Sequence, residues 1–197
     1  MTDIVQIAEK FARADLNLWP PISALEVSEF ERSAHVSLPP DFVLFLTHVC
    51  NGGVYPSCLL QGLGSWSSCH WIDNPLPDIS LNTTFIGTPE SQSHGENWID
   101  AAGVADWESR FDNNEWDPMY GTIAVAEIGC GLFYNLVVCG PFAGRVFAYG
   151  DHVNNPPQFL EHPSFARWIE SSIDSYLDGD VVDFLDRSRL TQRLREG

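Results

Sequence analysis

The sequence predicts an α+β fold with N-terminal helices, a central and mostly antiparallel sheet, and C-terminal helices. Helical spacing of apolar residues dominates the first fifty positions and returns after residue 164, while β-branched and aromatic runs separated by glycine-rich turns fill residues 122–149. Strand and helix patterns do not alternate, so nothing requires a parallel sheet. With 197 residues, 44% of them hydrophobic, the chain can bury one core, and we expect a single domain over residues 1–197.

The first two predicted helices have recognisable ends. Residues 3–17 place apolar side chains three and four positions apart, and Trp19-Pro-Pro21 ends this pattern. In the second helix, which runs to about residue 34, Ser23 and Glu26 have the spacing of a capping box, in which each side chain accepts a hydrogen bond from the other residue's backbone N–H.

A third helix is predicted to begin at Pro39-Pro-Asp41, because proline lacks only an N–H that has no partner in a first turn and the acid faces the positive end of the helix dipole. Asn51-Gly-Gly53 follows the helix, and we expect these residues to end it with a left-handed backbone. The expected buried stripe of this helix is Phe42, Phe45, Leu46 and Val49.

The remaining elements follow from similar patterns. Residues 54–97 predict short strands within irregular loops, and residues 98–110 predict a helix. Strands are expected over residues 122–127, 132–138 and 145–149, joined as an antiparallel meander. Ser164 is positioned to cap a helix that reaches Leu177, and Asp180 to cap a last one.

Charge excludes two classes of partner. The formal net charge is −17, which repels phosphate backbones and anionic lipid headgroups, so we expect neither nucleic acid nor membrane binding. The tail 187–197 carries four arginines and one acid, so the preceding body is more acidic than the total. The N-terminus shows no secretory signal pattern, and five irregularly spaced cysteines suit a reducing compartment, so a cytoplasmic location is expected.

Motifs for catalysis or metal binding are weak. His94-Gly-Glu96 matches half of a zinc deaminase site, but no Cys-x-x-Cys pair completes it, and Cys69-His70 has no complementary pair. Cys130 could act as a nucleophile with His152 as its base, although its flanking glycines are explained by a tight turn. We therefore expect no enzyme activity, no cofactor, no metal and no catalytic residue.

One acidic stretch suggests a protein interface. Residues 106–117 hold five acids and two tryptophans with Arg110 as the only counter-charge. Tryptophan provides rigid contact area, and acids around it steer a basic partner. The alternative is a solvated loop whose aromatic side chains pack into the core. The candidate partner-binding residues are Asp106, Trp107, Glu108, Asp112, Glu115, Trp116 and Asp117.

Two separated blocks of sequence carry a family pattern. The first comprises Ile22 to Glu31, Leu38-Pro-Pro-Asp-Phe42, Phe45-Leu46 and Asn51-Gly-Gly53. The second comprises Ile123-Ala124, Gly129-Cys-Gly131, Leu136-Val-Val138, Gly140, Gly144-Arg-Val-Phe147 through Asp151, and Phe165 to Leu177. Together they resemble the SMI/KNR family of the SUKH superfamily. Many members have a Gly-Asp pair where this chain has Gly-Cys-Gly, and residues 57–120 do not align.

The resemblance implies an α+β domain without catalytic residues, used mostly by bacteria as an immunity protein that blocks a cognate toxin. Fungal relatives regulate cell-wall assembly. We therefore expect a bacterial protein whose partner is a basic toxin domain. Many toxins of such systems attack nucleic acids, and this acidic chain would occlude the basic surface that they need for it. The alternatives are an intracellular regulatory or scaffolding module without a toxin partner and, as a third class, a hydrolase that uses Cys130 or His152.

Overall fold

A six-stranded antiparallel sheet, in the sequential order β1 to β6, forms the centre of the fold. The computed structural model describes residues 4–56, 58–64, 81–113, 115–129, 131–150 and 155–180. Within these residues the strands are β1 (Gly53–Tyr55), β2 (Cys58–Leu60), β3 (Thr122–Gly129), β4 (Leu132–Val137), β5 (Val146–Gly150) and β6 (Gln158–Phe159). The expected antiparallel meander of β3, β4 and β5 is confirmed.

Helices lie at both ends of the described chain, which confirms the α+β prediction. A 3-10 helix at Ser91–Asn97 precedes the two short helices of the middle segment. The α-helices are α1 (Ile4–Arg13), α2 (Ala24–Ser33), α3 (Pro40–His48), α4 (Trp98–Ala101), α5 (Trp107–Asp112) and α6 (Phe165–Leu177). Several predicted features lie outside the described residues: the helix after Asp180, the arginine-rich tail, Cys69-His70, Cys130 and His152.

The first face of the sheet packs against α1, α3 and α6. Phe45 links these helices, with its ring centroid 5.5 Å from that of Phe11 and 5.2 Å from that of Phe165. Trp168 of α6 reaches the sheet, where its ring lies 5.3 Å from Tyr134. Burial of large aromatic side chains provides the main stabilisation of this layer.

The second face of the sheet carries a separate hydrophobic cluster. Side chains alternate along a strand, so Phe147 and Tyr149 of β5 point to the opposite face from Val146 and Ala148. Residues of the 81–120 segment cover this second face, and Phe85 stacks on Phe147 with ring centroids 4.9 Å apart and planes at 10°. The 81–120 segment therefore supplies a third layer.

Two predicted helix starts are confirmed. The Ser23 side chain accepts a hydrogen bond from the Glu26 backbone N–H at 3.2 Å, and the Glu26 carboxylate accepts one from the Ser23 N–H at 2.8 Å. The Ser164 hydroxyl accepts from the Arg167 backbone N–H at 3.4 Å. All three hydrogen bonds satisfy N–H groups that have no partner within the helix.

The single helix predicted over residues 98–110 is wrong. Helix α4 ends at Ala101, and α5 begins only at Trp107. Gly103 and Asp106 have φ values of 74° and 51°, which no right-handed helix accommodates. The alanine content of residues 98–110 favours a helix and does not predict this break.

The role predicted for Asn51-Gly-Gly53 is also wrong. Helix α3 ends at His48, and its C-cap is Val49 in a right-handed conformation, whose N–H donates to the Phe45 carbonyl. The glycines are needed beyond the helix, where Gly52 and Gly53 have φ values of 98° and 129°. A Cβ on Gly53 would lie 2.6 Å from Leu18 Cα, so this residue permits close approach of two backbones.

We expect Gly53→Ala to lower the free energy of unfolding by at least about 2 kcal/mol, because backbone strain adds to a clash with backbone atoms. Gly103→Ala is the matched control, since Gly103 also has a positive φ but a Cβ there meets nothing within 4 Å. Urea denaturation measures both. Equal losses in the two variants would show that the positive φ alone, without the close approach of Leu18, explains why position 53 requires glycine.

Stability should also depend on pH above 9 through a buried thiol. Burial raises the pKa of Cys50 from 9.0 to about 11. Between these values the folded state keeps a proton that the unfolded state loses, so this stabilisation is present below pH 9 and declines as pH rises. Burial also raises the pKa of Cys58, to about 12, so that thiol contributes over the same range. We therefore expect Cys50→Ala to reduce the loss of stability between pH 7.5 and 10 by about 1.4 kcal/mol, measured by urea denaturation. An unchanged difference between the two pH values in the variant would contradict this origin.

Candidate binding surface

The middle segment forms an acidic lobe, defined here as residues 81–120 without the undescribed Asn114. The lobe contains eight acids against one cation, Arg110. Seven of the acids are exposed: Glu90, Glu96, Asp100, Asp106, Glu108, Asp112 and Glu115. Among the described residues, no cation lies within ion-pairing distance of these seven carboxylates. The described ion pairs join Lys10 to Glu170 and Asp174, and Arg167 to Glu170, on the first face.

The lobe rests on the sheet through large apolar side chains. Trp98 and Ile99 of α4 are each only 1% exposed, and Trp116 and Tyr120 lie in the same cluster as Val137 of β4. The polar residues that flank them, Asn97 and Asp100, are exposed to solvent. The lobe therefore presents carboxylates from a backbone whose position the buried cluster fixes.

The seven candidate residues comprise four exposed acids, two tryptophans and the buried Asp117. Asp106 precedes α5, Glu108 and Asp112 lie on α5, and Glu115 follows it, and all four are exposed. The Glu115 backbone N–H donates to the Arg110 carbonyl at 2.8 Å, which turns the chain back towards the sheet. The structure thus brings these four carboxylates onto one short helix and its flanks.

The two tryptophans have different surroundings. Trp107 is half-buried, and its indole Nε1 donates to the exposed Asp100 carboxylate at 2.7 Å. Trp116 is 7% exposed and lies in the second-face cluster, with the Arg110 guanidinium carbon 5.9 Å from its ring centroid. Only Trp107 keeps appreciable accessible ring surface.

Asp117 is buried at the base of the lobe. Its Oδ1 accepts a hydrogen bond from the Met119 backbone N–H at 2.7 Å, and its carbonyl accepts one from Tyr120 at 3.2 Å. Burial, with a further contribution from the nearby Asp117 charge, raises the pKa of Tyr120. Asp117 thus shapes the turn that leads into β3.

Sequence reasoning confined the acidic patch to residues 106–117 and missed Glu90, Glu96 and Asp100. The charge imbalance of the whole segment is a usable signal, but the extent of the acidic surface depends on the fold that places residues 90–117 over one face of the sheet. Within the described residues, no group of three or more His, Cys, Asp or Glu side chains could hold a metal ion. His94 is exposed in the 3-10 helix.

The two tryptophans should respond differently to substitution. We expect Trp116→Ala to lower the free energy of unfolding by about 3 to 5 kcal/mol, because it leaves a cavity in the second-face cluster. Trp107→Phe keeps most of the ring contact and loses only the bond to Asp100, so about 1 kcal/mol or less is expected. Chemical denaturation distinguishes these values. A small loss in Trp116→Ala would mean that the lobe does not depend on this cluster.

No described helix has the length and apolar composition needed to cross a membrane. A search of curated proteins finds no match to the chain. The model of the SMI1/KNR4 family (SUKH-1) matches residues 21–178, which include α2 to α6 and every strand of the sheet. With well over half of its length matched, the chain belongs to the SMI1/KNR4 family (SUKH-1).

Proposed function

We propose that the chain is a cytoplasmic immunity protein that binds a basic toxin domain stoichiometrically and occludes its active surface. Membership of the SMI1/KNR4 family supports a role in protein binding. The observation that carries the proposal is the acidic lobe, where seven exposed carboxylates have no paired cation among the described residues. Toxins that attack nucleic acids need basic surfaces to bind phosphates, and such a surface complements this lobe.

The lobe suits fast recognition. Exposed acids act at long range on an approaching cation, so Asp106, Glu108, Asp112 and Glu115 would raise the association rate. Trp107 would supply the aromatic contact at the centre, while Trp116 and Asp117 would hold the lobe in position. The buried cluster beneath the acids limits the entropy lost on binding, because the carboxylates already share a fixed scaffold.

This function requires no catalysis and no cofactor from the chain. The alternative is a regulatory or scaffolding module that uses the same surface without a toxin. The hydrolase alternative rests on Cys130 and His152, which are outside the described residues. Cell survival separates these possibilities, because only an immunity protein restores growth to cells that produce the toxin.

The test uses the protein encoded by the gene next to that of this chain. We expect co-production of the chain to restore growth of cells that make this neighbouring protein, and the purified pair to associate more slowly as salt increases. Asp112→Asn with Glu115→Gln should reduce the association rate by about tenfold at low salt and leave the dissociation rate nearly unchanged. Stopped-flow fluorescence measures both rates.

Glu9→Gln with Glu29→Gln is the matched control. These two exposed acids lie on α1 and α2, so this variant has the same net charge as the variant with Asp112→Asn and Glu115→Gln but keeps the lobe intact. Its association rate should stay close to that of the wild type. Failure of the wild-type chain to restore growth would refute the immunity function, whereas equal effects of both double variants would refute only the location of the surface.

A further inference from the structure

The second face of the sheet carries exposed apolar side chains at its β1 and β2 end. Facing residues of neighbouring strands form a row in the order Val54, Leu59, Glu127, Phe133 and Tyr149. Tyr149 lies in the second-face cluster and Phe133 is buried, but Leu59 is 36% exposed and Val54 is 54% exposed. The row thus passes from the lobe to an apolar surface that is open to solvent.

Trp19 extends this surface beyond β1. Leu18 forms a bridge with Gly53 and packs against the first-face cluster. Side chains alternate along an extended segment, so Trp19 lies on the second face, where it is 44% exposed. We call Trp19, Val54 and Leu59 the apolar stripe.

The backbone that carries Trp19 is held in place. Its N–H donates to the Gly52 carbonyl at 2.9 Å, and its carbonyl accepts from the Asn51 N–H at 3.3 Å. Pro20 follows it and restricts Trp19 to extended conformations. The ring fills the space beside Gly52, because a Cβ there would lie 2.9 Å from Trp19 Cε3. A partner that contacts this exposed ring therefore loses little free energy to ordering it.

The stripe offers side chains rather than backbone groups to a partner. Residues 17–19 lie along the outer edge of β1, where the Asn17 carbonyl accepts a hydrogen bond from the Val54 N–H at 2.8 Å. Backbone groups at this position are thus already paired, and a partner cannot add a strand there. Binding to the stripe would come from burial of apolar surface.

Charge favours a basic partner over a second copy of the chain. Glu127 lies next to Leu59 in the row, is half-buried, and accepts a hydrogen bond from Gln61 at 3.4 Å. No ion pair among the described residues includes Glu127. Two copies that met through this face would bring together two chains of net charge −17, whereas a basic surface would be attracted.

The stripe is too small to hold a partner alone. A stable interface buries about 800 Å² on each side, which exceeds what three partly exposed side chains provide. The neighbouring surface on the same face leads to the acidic lobe. Strands are about 4.8 Å apart, so Leu59 lies about 14 Å from Tyr149 beneath the lobe, a distance that one bound domain can span.

We propose that the basic toxin domain attracted by the acidic lobe also binds the apolar stripe, with Trp19 in an apolar pocket of the toxin and a toxin cation beside Glu127. This inference rests on the proposed function and adds the residues that keep the complex together. The exposed acids act during encounter, whereas apolar burial acts only after contact. The stripe therefore sets the dissociation rate and the lobe sets the association rate.

Stopped-flow kinetics with the protein encoded by the neighbouring gene test this division. We expect Trp19→Ala to raise the dissociation rate by about thirtyfold or more, with the association rate and its salt dependence nearly unchanged. Val54→Thr with Leu59→Thr keeps β-branched residues in the hairpin and should raise the dissociation rate by about fivefold or more. Leu25→Ala is the matched control, because Leu25 is 64% exposed on α2 but lies outside the stripe. Urea denaturation of each variant shows whether it remains folded.

Photo-crosslinking gives a second measurement in the otherwise unchanged chain. In the complex, p-benzoylphenylalanine at position 59 should crosslink to the neighbouring protein, and the same probe at position 25 should not. Unchanged dissociation rates in both stripe variants, or crosslinks from position 59 only to a second copy of the chain, would overturn the role of the stripe while the immunity function stands. Failure of the wild-type chain to bind the neighbouring protein and restore growth would refute the immunity function and this inference with it.

Discussion

The structure depends on one constraint, which is that the central sheet is apolar on both faces and each face must be covered. Along β4 and β5 the residues alternate between two hydrophobic clusters, with Tyr134 and Leu136 on one face and Val137 and Phe147 on the other. The terminal helices cover the first face. Because no further long helix is available in the described chain, the 81–120 segment covers the second face with short helices and large aromatic residues. This arrangement determines where the acidic residues are exposed.

The family motif gains a physical explanation from contacts that sequence patterns do not show. The Asp41 carboxylate accepts hydrogen bonds from the backbone N–H of Phe42 and, at 2.9 Å, from that of Ala166 at the start of α6. One side chain thus joins the beginnings of two helices that are far apart in sequence. Asn51 acts similarly, because its side-chain oxygen accepts from the Leu63 N–H at 2.7 Å. These residues position the loops around the first face.

Sequence reasoning succeeded where structure is set locally and failed where it is set by tertiary contacts. The capping residues Ser23 and Ser164 act within three positions of themselves, so their roles could be predicted. Gly53 is needed because the backbone at Leu18 lies against it, and this neighbour is remote in sequence. The burial of Trp116, unlike that of Trp107, likewise depends on the sheet beneath the lobe. The breadth of the acidic surface could not be predicted, since it requires knowing that residues 90–117 share one face.

An acidic lobe and a buried aromatic cluster support each other physically. Seven carboxylates on a small lobe repel one another, and this repulsion opposes compact folding. Trp98, Ile99 and Trp116 provide the compensating burial, which acts directly beneath the charges and is not weakened by ionic screening. A loop with the same acids but no such cluster would spread to relieve the repulsion and would have to be reordered on binding. The second hydrophobic cluster is therefore what allows a dense negative surface to exist in a defined shape.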